Sequence, residues 1–213
     1  MLQTALTAAV LGFVGYRLVE AAHFSTGRLG RSRSMRILRG IRWRHVLPVP
    51  LLLAAVLGVA TLLMLVPGLS WGWWSAIGGV GNPVTGSTEE VSGTPFEWLL
   101  PLLFLTLLLP SVPLFAHREE EIFRQGAERW SWRRRIGMAL AFGLVHAVIG
   151  IPIAVAAALA VGGAWFQACY LAEFRRTGDR ELATLESARA HTAYNLVILA
   201  VVVVATAGVA VWG

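Results

Sequence analysis

Residues 46–66, VLPVPLLLAAVLGVATLLMLV, form a run of 21 residues without a charged side chain. An α-helix needs about 20 consecutive apolar residues to cross the hydrocarbon core of a bilayer. Pro67 and Gly68 follow the run directly and favour the end of a helix there. The stretch therefore predicts a transmembrane helix, and the rest of the chain is interpreted around it.

The composition of the whole chain agrees with a membrane location. Of the 213 residues, 56% are hydrophobic and 14% are charged, and the mean hydropathy is +0.66. These values are typical of a polytopic membrane protein. The 18 basic residues are all arginines and cluster in a few loops, with no basic domain outside the apolar segments. We therefore expect the lipid bilayer, and not nucleic acid, to be the partner of this charge.

The other apolar segments extend the prediction to an all-α fold, a transmembrane helical bundle of about six spanning helices. The predicted spans are 2–22, 46–66, 98–116, 133–149, 152–174 and 181–212. An interfacial helix is the alternative for the first of them. Gly150 and Pro152 predict the turn between the fourth and fifth spans, with Pro152 at a first helical position. Gly178 predicts a helix stop, and Asp179 the cap of the last helix.

Three prolines interrupt the third span at positions 101, 110 and 113. Proline lacks the N–H group that a helix interior requires, so we expect this helix to be kinked or to end early. The backbone carbonyls freed in this way must find partners inside the protein or in a wet cavity.

The arginines also predict the orientation, because cytoplasmic loops of membrane proteins carry an excess of basic residues. Three clusters, 28–44, 118–135 and 175–189, are predicted to lie in the cytoplasm of a multi-pass plasma-membrane protein. Both termini and the loop 67–97, including a solvated Glu89 and Glu90, are predicted to face outward. Segment 28–44 either docks to anionic lipid or a partner, or is a loop that only fixes orientation.

Three polar pieces stand at or within apolar segments, where ionisable groups are costly and point to function. Residues 117–124, HREEEIFR, place consecutive carboxylates next to the third span. Glu120 and Arg124 stand at i and i+4 of a helix and can pair, while Glu119 points elsewhere. The same spacing puts Phe142 with His146, and His191 with Asn195, on shared helix faces.

Taken in order, EExxxR (Glu119, Glu120, Arg124), FxxxH (Phe142, His146) and HxxxN (His191, Asn195) resemble the motif set of the CPBP family. This family comprises the CAAX-protease and bacteriocin-processing intramembrane endopeptidases. The resemblance covers roughly residues 98 to 212. It divides the chain into N-terminal helices with a basic loop and an outer loop, 1–97, and a catalytic helical core, 98–213, within one integral membrane domain.

The resemblance implies a role for each motif residue in hydrolysing a peptide bond of a membrane-associated or lipidated peptide or protein. Glu119 and His146 would activate water, as a carboxylate beside an imidazole can. His191 and Asn195 would donate hydrogen bonds to the oxyanion. Glu120 with Arg124 would support the site.

No cofactor is required by this mechanism. Zinc held by two histidines and a glutamate is the alternative, although HExxH is absent and asparagine is a poor zinc ligand. His146 is expected on the order of 15 Å deep along its helix, whereas Glu119 is expected near the boundary. Kinks at Pro110 and Pro113, or a tilted short helix, would bring the two residues level.

Two other functions stay open at the level of the sequence. One is a nonenzymatic scaffold or immunity protein of the same family, and the other is a small proton-coupled transporter that uses Glu119, His146 and His191 as a relay. The absence of an internal repeat disfavours the transporter. The sequence leaves the substrate and the oligomeric state open.

Overall fold

A computed structural model describes residues 2–77, 94 and 96–212 of the protein. Side chains are described for 9, 12–77, 94, 99 and 102–204. All regular secondary structure in these ranges is helical, which confirms the all-α fold. The predicted outer loop, with Glu89 and Glu90, lies largely outside the described residues.

The chain forms ten α-helices within the described ranges, together with two short 3-10 turns at Ala127–Arg129 and His146–Ile149. The helices are α1 (Leu2–Thr26), α2 (Arg28–Leu38), α3 (Trp43–Val46), α4 (Val49–Met64), α5 (Trp73–Ala76), α6 (Phe96–Phe123), α7 (Trp132–Val145), α8 (Ile153–Ala158), α9 (Ala160–Thr177) and α10 (Arg180–Trp212).

Four helical segments in the described part are long and apolar enough to cross a bilayer, so the chain is a membrane protein. They are Trp43–Met64, Leu102–Arg129, Ile153–Thr177 and Arg180–Val204. α1 and α7 occupy the positions of the other two predicted spans. At 1.5 Å per residue, the 14 residues of α7 extend about 21 Å, short of a hydrocarbon core about 30 Å thick.

α6 runs without a break over Phe96–Phe123, through Pro110 and Pro113. Of the two outcomes expected of these prolines, an early end of the helix is therefore wrong. Each proline removes only one backbone hydrogen bond, and the turns around it keep theirs. The Ser111 hydroxyl also donates to the carbonyl of Leu107 at 3.1 Å. The helix thus carries both carboxylates of the EE motif in its last turns.

The predicted turn between α7 and α8 is confirmed. Gly150 has φ +91°, a conformation that glycine adopts without steric cost. Pro152 is the N-cap of α8, one residue before the predicted position, and the helix begins at Ile153. The first two N–H groups of α8 donate to the carbonyls of Trp71 and Leu69, at 3.0 and 2.8 Å. The segment after α4 thereby provides hydrogen-bond acceptors for the N–H groups at the start of α8.

The predicted junction between α9 and α10 is confirmed as well. Gly178 has φ +70° and ends α9. The carboxylate of Asp179 accepts hydrogen bonds from the backbone N–H groups of Glu181 and Leu182, at 2.7 and 3.0 Å. This is the N-cap expected at the start of α10.

The bundle brings helices from both predicted regions together. α10 packs against α9 and α6, α7 packs against α9, α1 packs against α6, and α4 packs against α8. The helices of 1–97 thus pack against those of 98–213.

The three arginine clusters lie at one end of this bundle, because ion pairs join them. The pairs are Arg36 with Glu181 at 2.8 Å, Arg44 with Glu186 at 2.6 Å, and Arg180 with Glu128 at 2.6 Å. At the opposite end, the indole N–H of Trp73 donates to the carbonyl of Val148 at 3.0 Å. The three clusters that the sequence assigns to one side of the membrane therefore lie at the same end of the bundle.

Candidate active site

A cavity of about 520 Å³ lies between α1, α6, α7, α9 and α10. Its wall is apolar except for a small set of polar side chains. These are Arg17, Glu119, His146, His191 and Asn195, with the Tyr194 ring beside them. Four of the six predicted site residues therefore line one cavity, although they come from three different helical segments.

The other two predicted residues, Glu120 and Arg124, lie buried behind the wall. Their ion pair measures 3.1 Å, and the two side chains are 0% and 1% exposed, which confirms the predicted pairing. The guanidinium carbon of Arg124 also stands 3.9 Å from the ring centroid of Phe142. A buried charge needs such partners, since an unpaired one is strongly destabilising.

Glu120 also fixes His191 from behind. Its Oε1 lies 2.9 Å from Nδ1 of His191, and its Oε2 accepts a short hydrogen bond from the Ser187 hydroxyl. With the carboxylate ionised beside Arg124, Nδ1 of His191 is the donor and Nε2 is directed away from Glu120. Sequence reasoning missed Ser187, whose position four residues before His191 on one helix face is the signal that could have found it.

His191 stands between the two carboxylates of the EE motif. Its Nε2 lies 3.6 Å from Oε2 of Glu119. The imidazole stacks on the Phe166 ring, with a centroid distance of 4.4 Å and an interplanar angle of 16°. Phe166, in α9, had no signal in the sequence. These contacts hold the imidazole in one orientation at the cavity wall.

His146 lies at the end of α7 with one ring nitrogen already engaged. Its Nδ1 is 2.8 Å from the carbonyl oxygen of Phe142. Since a carbonyl only accepts, Nδ1 carries the proton and Nε2 is left as an acceptor. Both His146 and His191 contact the Phe142 ring, at 5.0 and 5.4 Å between centroids. The two imidazoles are therefore closer together than the roughly 12 Å beyond which one amide could not reach both.

Asn195 follows His191 by one turn on the continuous helix α10. Its partly buried side chain lines the cavity, and no hydrogen bond is formed by its carboxamide within the described residues. The amide is consequently available to a ligand in the cavity.

The third glutamate of the run faces away from the cavity. Glu121 pairs with Arg118 at 3.2 Å and lies 3.7 Å from His117. Glu119, by contrast, lines the cavity with a side chain that is 30% exposed. Of the three consecutive glutamates, Glu119 and Glu120 are therefore the two whose carboxylates face the interior of the bundle, and these are the two assigned to the motif.

The expected difference in depth between Glu119 and His146 does not separate them, since both line the same cavity. Within the described part of the chain, no group of three His, Cys, Asp or Glu side chains is arranged to hold a metal ion.

Comparison with protein-family models, curated proteins and solved structures finds no match for the chain.

Proposed function

We propose that the chain is an intramembrane endopeptidase of the CPBP type, which uses glutamate-activated water to hydrolyse a peptide bond of a membrane-associated or lipidated peptide. The observation that carries the proposal is the convergence of Glu119, His146, His191 and Asn195 on one otherwise apolar cavity. A few placed polar groups in an apolar pocket are typical of sites that orient a ligand for reaction.

Glu119 and His146 are the proposed general bases. Among the described residues, Glu119 is the only carboxylate that lines the cavity. His146 presents an acceptor nitrogen, because its other ring nitrogen donates to Phe142. A water molecule held by both groups would give a proton to the carboxylate of Glu119 as its oxygen attacks the substrate carbonyl, and this proton would pass to the amine nitrogen as the carbon–nitrogen bond breaks.

His191 and Asn195 are the proposed donors to the oxyanion that forms in this attack. Asn195 donates from its carboxamide. His191 can donate from Nε2 only when both ring nitrogens carry protons, and it then lies between the carboxylates of Glu119 and Glu120 at 3.6 and 2.9 Å. One such donor typically contributes about 3 kcal/mol to the stability of the transition state.

The rest of the cavity suits a hydrocarbon chain or apolar side chains of the substrate. Its wall continues along α10 from His191 to Val202, about 16 Å at 1.5 Å per residue. In the proposed orientation, the protein lies in the plasma membrane with the basic end of the bundle toward the cytoplasm. The scissile bond is then presented from the cytoplasmic side.

The proposal is tested by incubating the purified full-length protein in detergent with a library of membrane peptides in ¹⁸O-labelled water, with and without chelator. The His146→Ala protein, purified in parallel, controls for contaminating proteases. Hydrolysis predicts one ¹⁸O atom in each new carboxylate, absent with the variant. A folded wild-type protein that cuts no peptide, or that cuts as fast as the variant, would refute the proposal and favour a scaffold or a transporter.

A further inference from the structure

The arginine-rich helix α2 presents an outward face that the proposed catalytic site does not use. α2 spans Arg28–Leu38 and buries Gly30, Ser34 and Ile37. These positions, at i, i+4 and i+7, share one helix face. α2 packs with this face on α1, α6 and α10, so its opposite face points away from the bundle.

The outward face combines cations with apolar side chains. Arg31 follows Arg28 by three residues, and Arg39, the C-cap residue of α2, follows Arg28 by eleven. This spacing places the three on the same side of a helix with 3.6 residues per turn. Met35 and Leu38 lie between them, and all five side chains are exposed. Interleaved arginines and exposed apolar residues are typical of a helix that lies in the headgroup layer of a bilayer.

The charge on this face is not neutralised by the protein. Within the described residues, no carboxylate lies at ion-pair distance from Arg28, Arg31 or Arg39, whereas Arg36 on the flank of the helix is paired with Glu181 at 2.8 Å. The hydrogen bond of Arg31 goes to the backbone carbonyl of Thr26. The three arginines of the outward face can therefore bind an anion that comes from outside the protein.

The residues that follow α2 place it at the bilayer surface. The membrane-crossing segment Trp43–Met64 begins five residues after the end of α2. Trp43 and Leu47 at its start are 76% and 70% exposed, as expected of side chains at the boundary between headgroups and hydrocarbon. α2 thus lies where phospholipid headgroups of the leaflet at the basic end are within reach.

We propose that the outward face of α2, with Arg28, Arg31 and Arg39, binds the phosphate headgroups of anionic phospholipids. Met35 and Leu38 insert between the headgroups and favour a lipid over an acidic protein segment. An arginine near an anionic bilayer surface contributes about fivefold to binding, so the three together contribute roughly 100-fold. This inference is independent of the proposed peptidase activity.

The test uses the full chain in a nonionic detergent, titrated with phosphatidylglycerol or phosphatidylcholine, with the retained lipids counted by native mass spectrometry. The wild-type protein is expected to retain phosphatidylglycerol in preference to phosphatidylcholine at 50 mM salt and to lose most of this preference at 500 mM. Replacing Arg28, Arg31 and Arg39 by glutamine should weaken phosphatidylglycerol binding roughly 100-fold.

The matched control replaces by glutamine three exposed arginines of other elements at the same end: Arg129 in the first 3-10 turn, Arg133 in the first turn of α7 and Arg175 in the last turn of α9. Its phosphatidylglycerol binding should stay within about threefold of wild type, since it keeps the α2 face. Equal losses in both triple variants, no preference in the wild type, or displacement of the lipid by equimolar inorganic phosphate would overturn the proposal. If the α2 triple variant is not monodisperse on size exclusion, Arg28→Gln with Arg39→Gln gives the same comparison with an expected loss of about 30-fold.

Discussion

At the scale of single residues, three close partners hold Glu120, whereas among the described residues its neighbour Glu119 has one longer contact. Arg124, His191 and Ser187 all bind the buried carboxylate of Glu120. Within the described residues, the carboxylate of Glu119 makes only the 3.6 Å contact with His191. Of the two adjacent glutamates, one is therefore fixed in the bundle interior and the other lines the cavity, which is the division that the proposed mechanism needs.

Glu120→Gln is expected to destabilise the fold. The substitution leaves the guanidinium of Arg124 buried without a countercharge, which typically costs about 3 to 5 kcal/mol. Unfolding free energy in mixed detergent micelles, followed by circular dichroism, measures the effect. Glu119→Gln is the matched control and should change stability by less than about 0.5 kcal/mol. Similar losses in both proteins would mean that Glu120 has no special structural role.

The residues that the sequence could predict are those with a helix-periodic signal. The pairing of Glu120 with Arg124 follows from their spacing of four, and the structure confirms it. Phe166 was beyond prediction, because its stacking on His191 depends on how α9 packs against α10. Ser187 lies between these cases. Its spacing from His191 predicts that the two share a helix face, but nothing in the sequence predicts that Ser187 binds Glu120 on α6.

At the scale of elements, the packing of α7 against α8 and the start of α9 requires a glycine at position 143. A Cβ atom there would lie 2.4 Å from the carbonyl oxygen of Ala156 and 2.8 Å from the backbone nitrogen of Ala160. Both neighbours are backbone atoms, so relief requires the helices to move apart. Since α7 carries Phe142 and leads into His146, such a movement would also widen the site.

Gly143→Ala is therefore expected to destabilise the protein by about 1 to 3 kcal/mol, as overpacking does. Gly137→Ala is its control on the same helix, because nothing lies within 4 Å of the added Cβ. That change should stabilise by about 0.5 to 1 kcal/mol through helix propensity. Thermal unfolding of the two purified variants gives the comparison, and a destabilised Gly137→Ala beside an unchanged Gly143→Ala would contradict the packing described for α7 and α8.

Element boundaries could be predicted where local chemistry determines them. The structure has turns with positive φ at Gly150 and Gly178, a conformation that favours glycine. It also has a helix cap at Asp179, whose carboxylate accepts from a backbone N–H of α10. The continuity of α6 was not predictable in this way, because each proline weakens a helix locally while packing against α1 and α10 holds it together.

At the scale of the whole molecule, the common location of the arginine clusters predicts which ends of the helices face the cytoplasm. Cysteine labelling in a Cys169→Ala background tests this, with Ser32→Cys on α2 and Trp71→Cys at the opposite end. Both positions are exposed. Gly30 is unsuitable as a probe, because a Cβ there would lie 2.1 Å from the carbonyl oxygen of Phe24.

An impermeant maleimide is expected to label Trp71→Cys in intact cells and Ser32→Cys only after permeabilisation. Labelling of Ser32→Cys from outside, with Trp71→Cys protected, would invert the topology. It would also move the proposed presentation of substrate to the outer side.

The assembly of the site is a property of the whole fold. Glu120 and His191 are 71 residues apart in sequence, yet they share a hydrogen bond. No periodicity or spacing within one segment relates residues so distant, so their grouping could be predicted only from the resemblance of the motif set to a known family. The cavity and its apolar wall depend on α1, α6, α7, α9 and α10 together.

The most direct test of the account compares Glu119→Gln with Glu121→Gln in peptide cleavage by purified protein. Glutamine keeps the shape of glutamate and its capacity for hydrogen bonding but cannot accept the proton of water. We expect kcat/KM to fall by about 100-fold or more in Glu119→Gln, the usual contribution of a general base. Glu121→Gln, whose carboxylate faces Arg118 outside the cavity, should cut within about threefold of wild type. Cleavage that survives in Glu119→Gln, or that is lost equally in both variants, would contradict the assignment of Glu119 as the catalytic base.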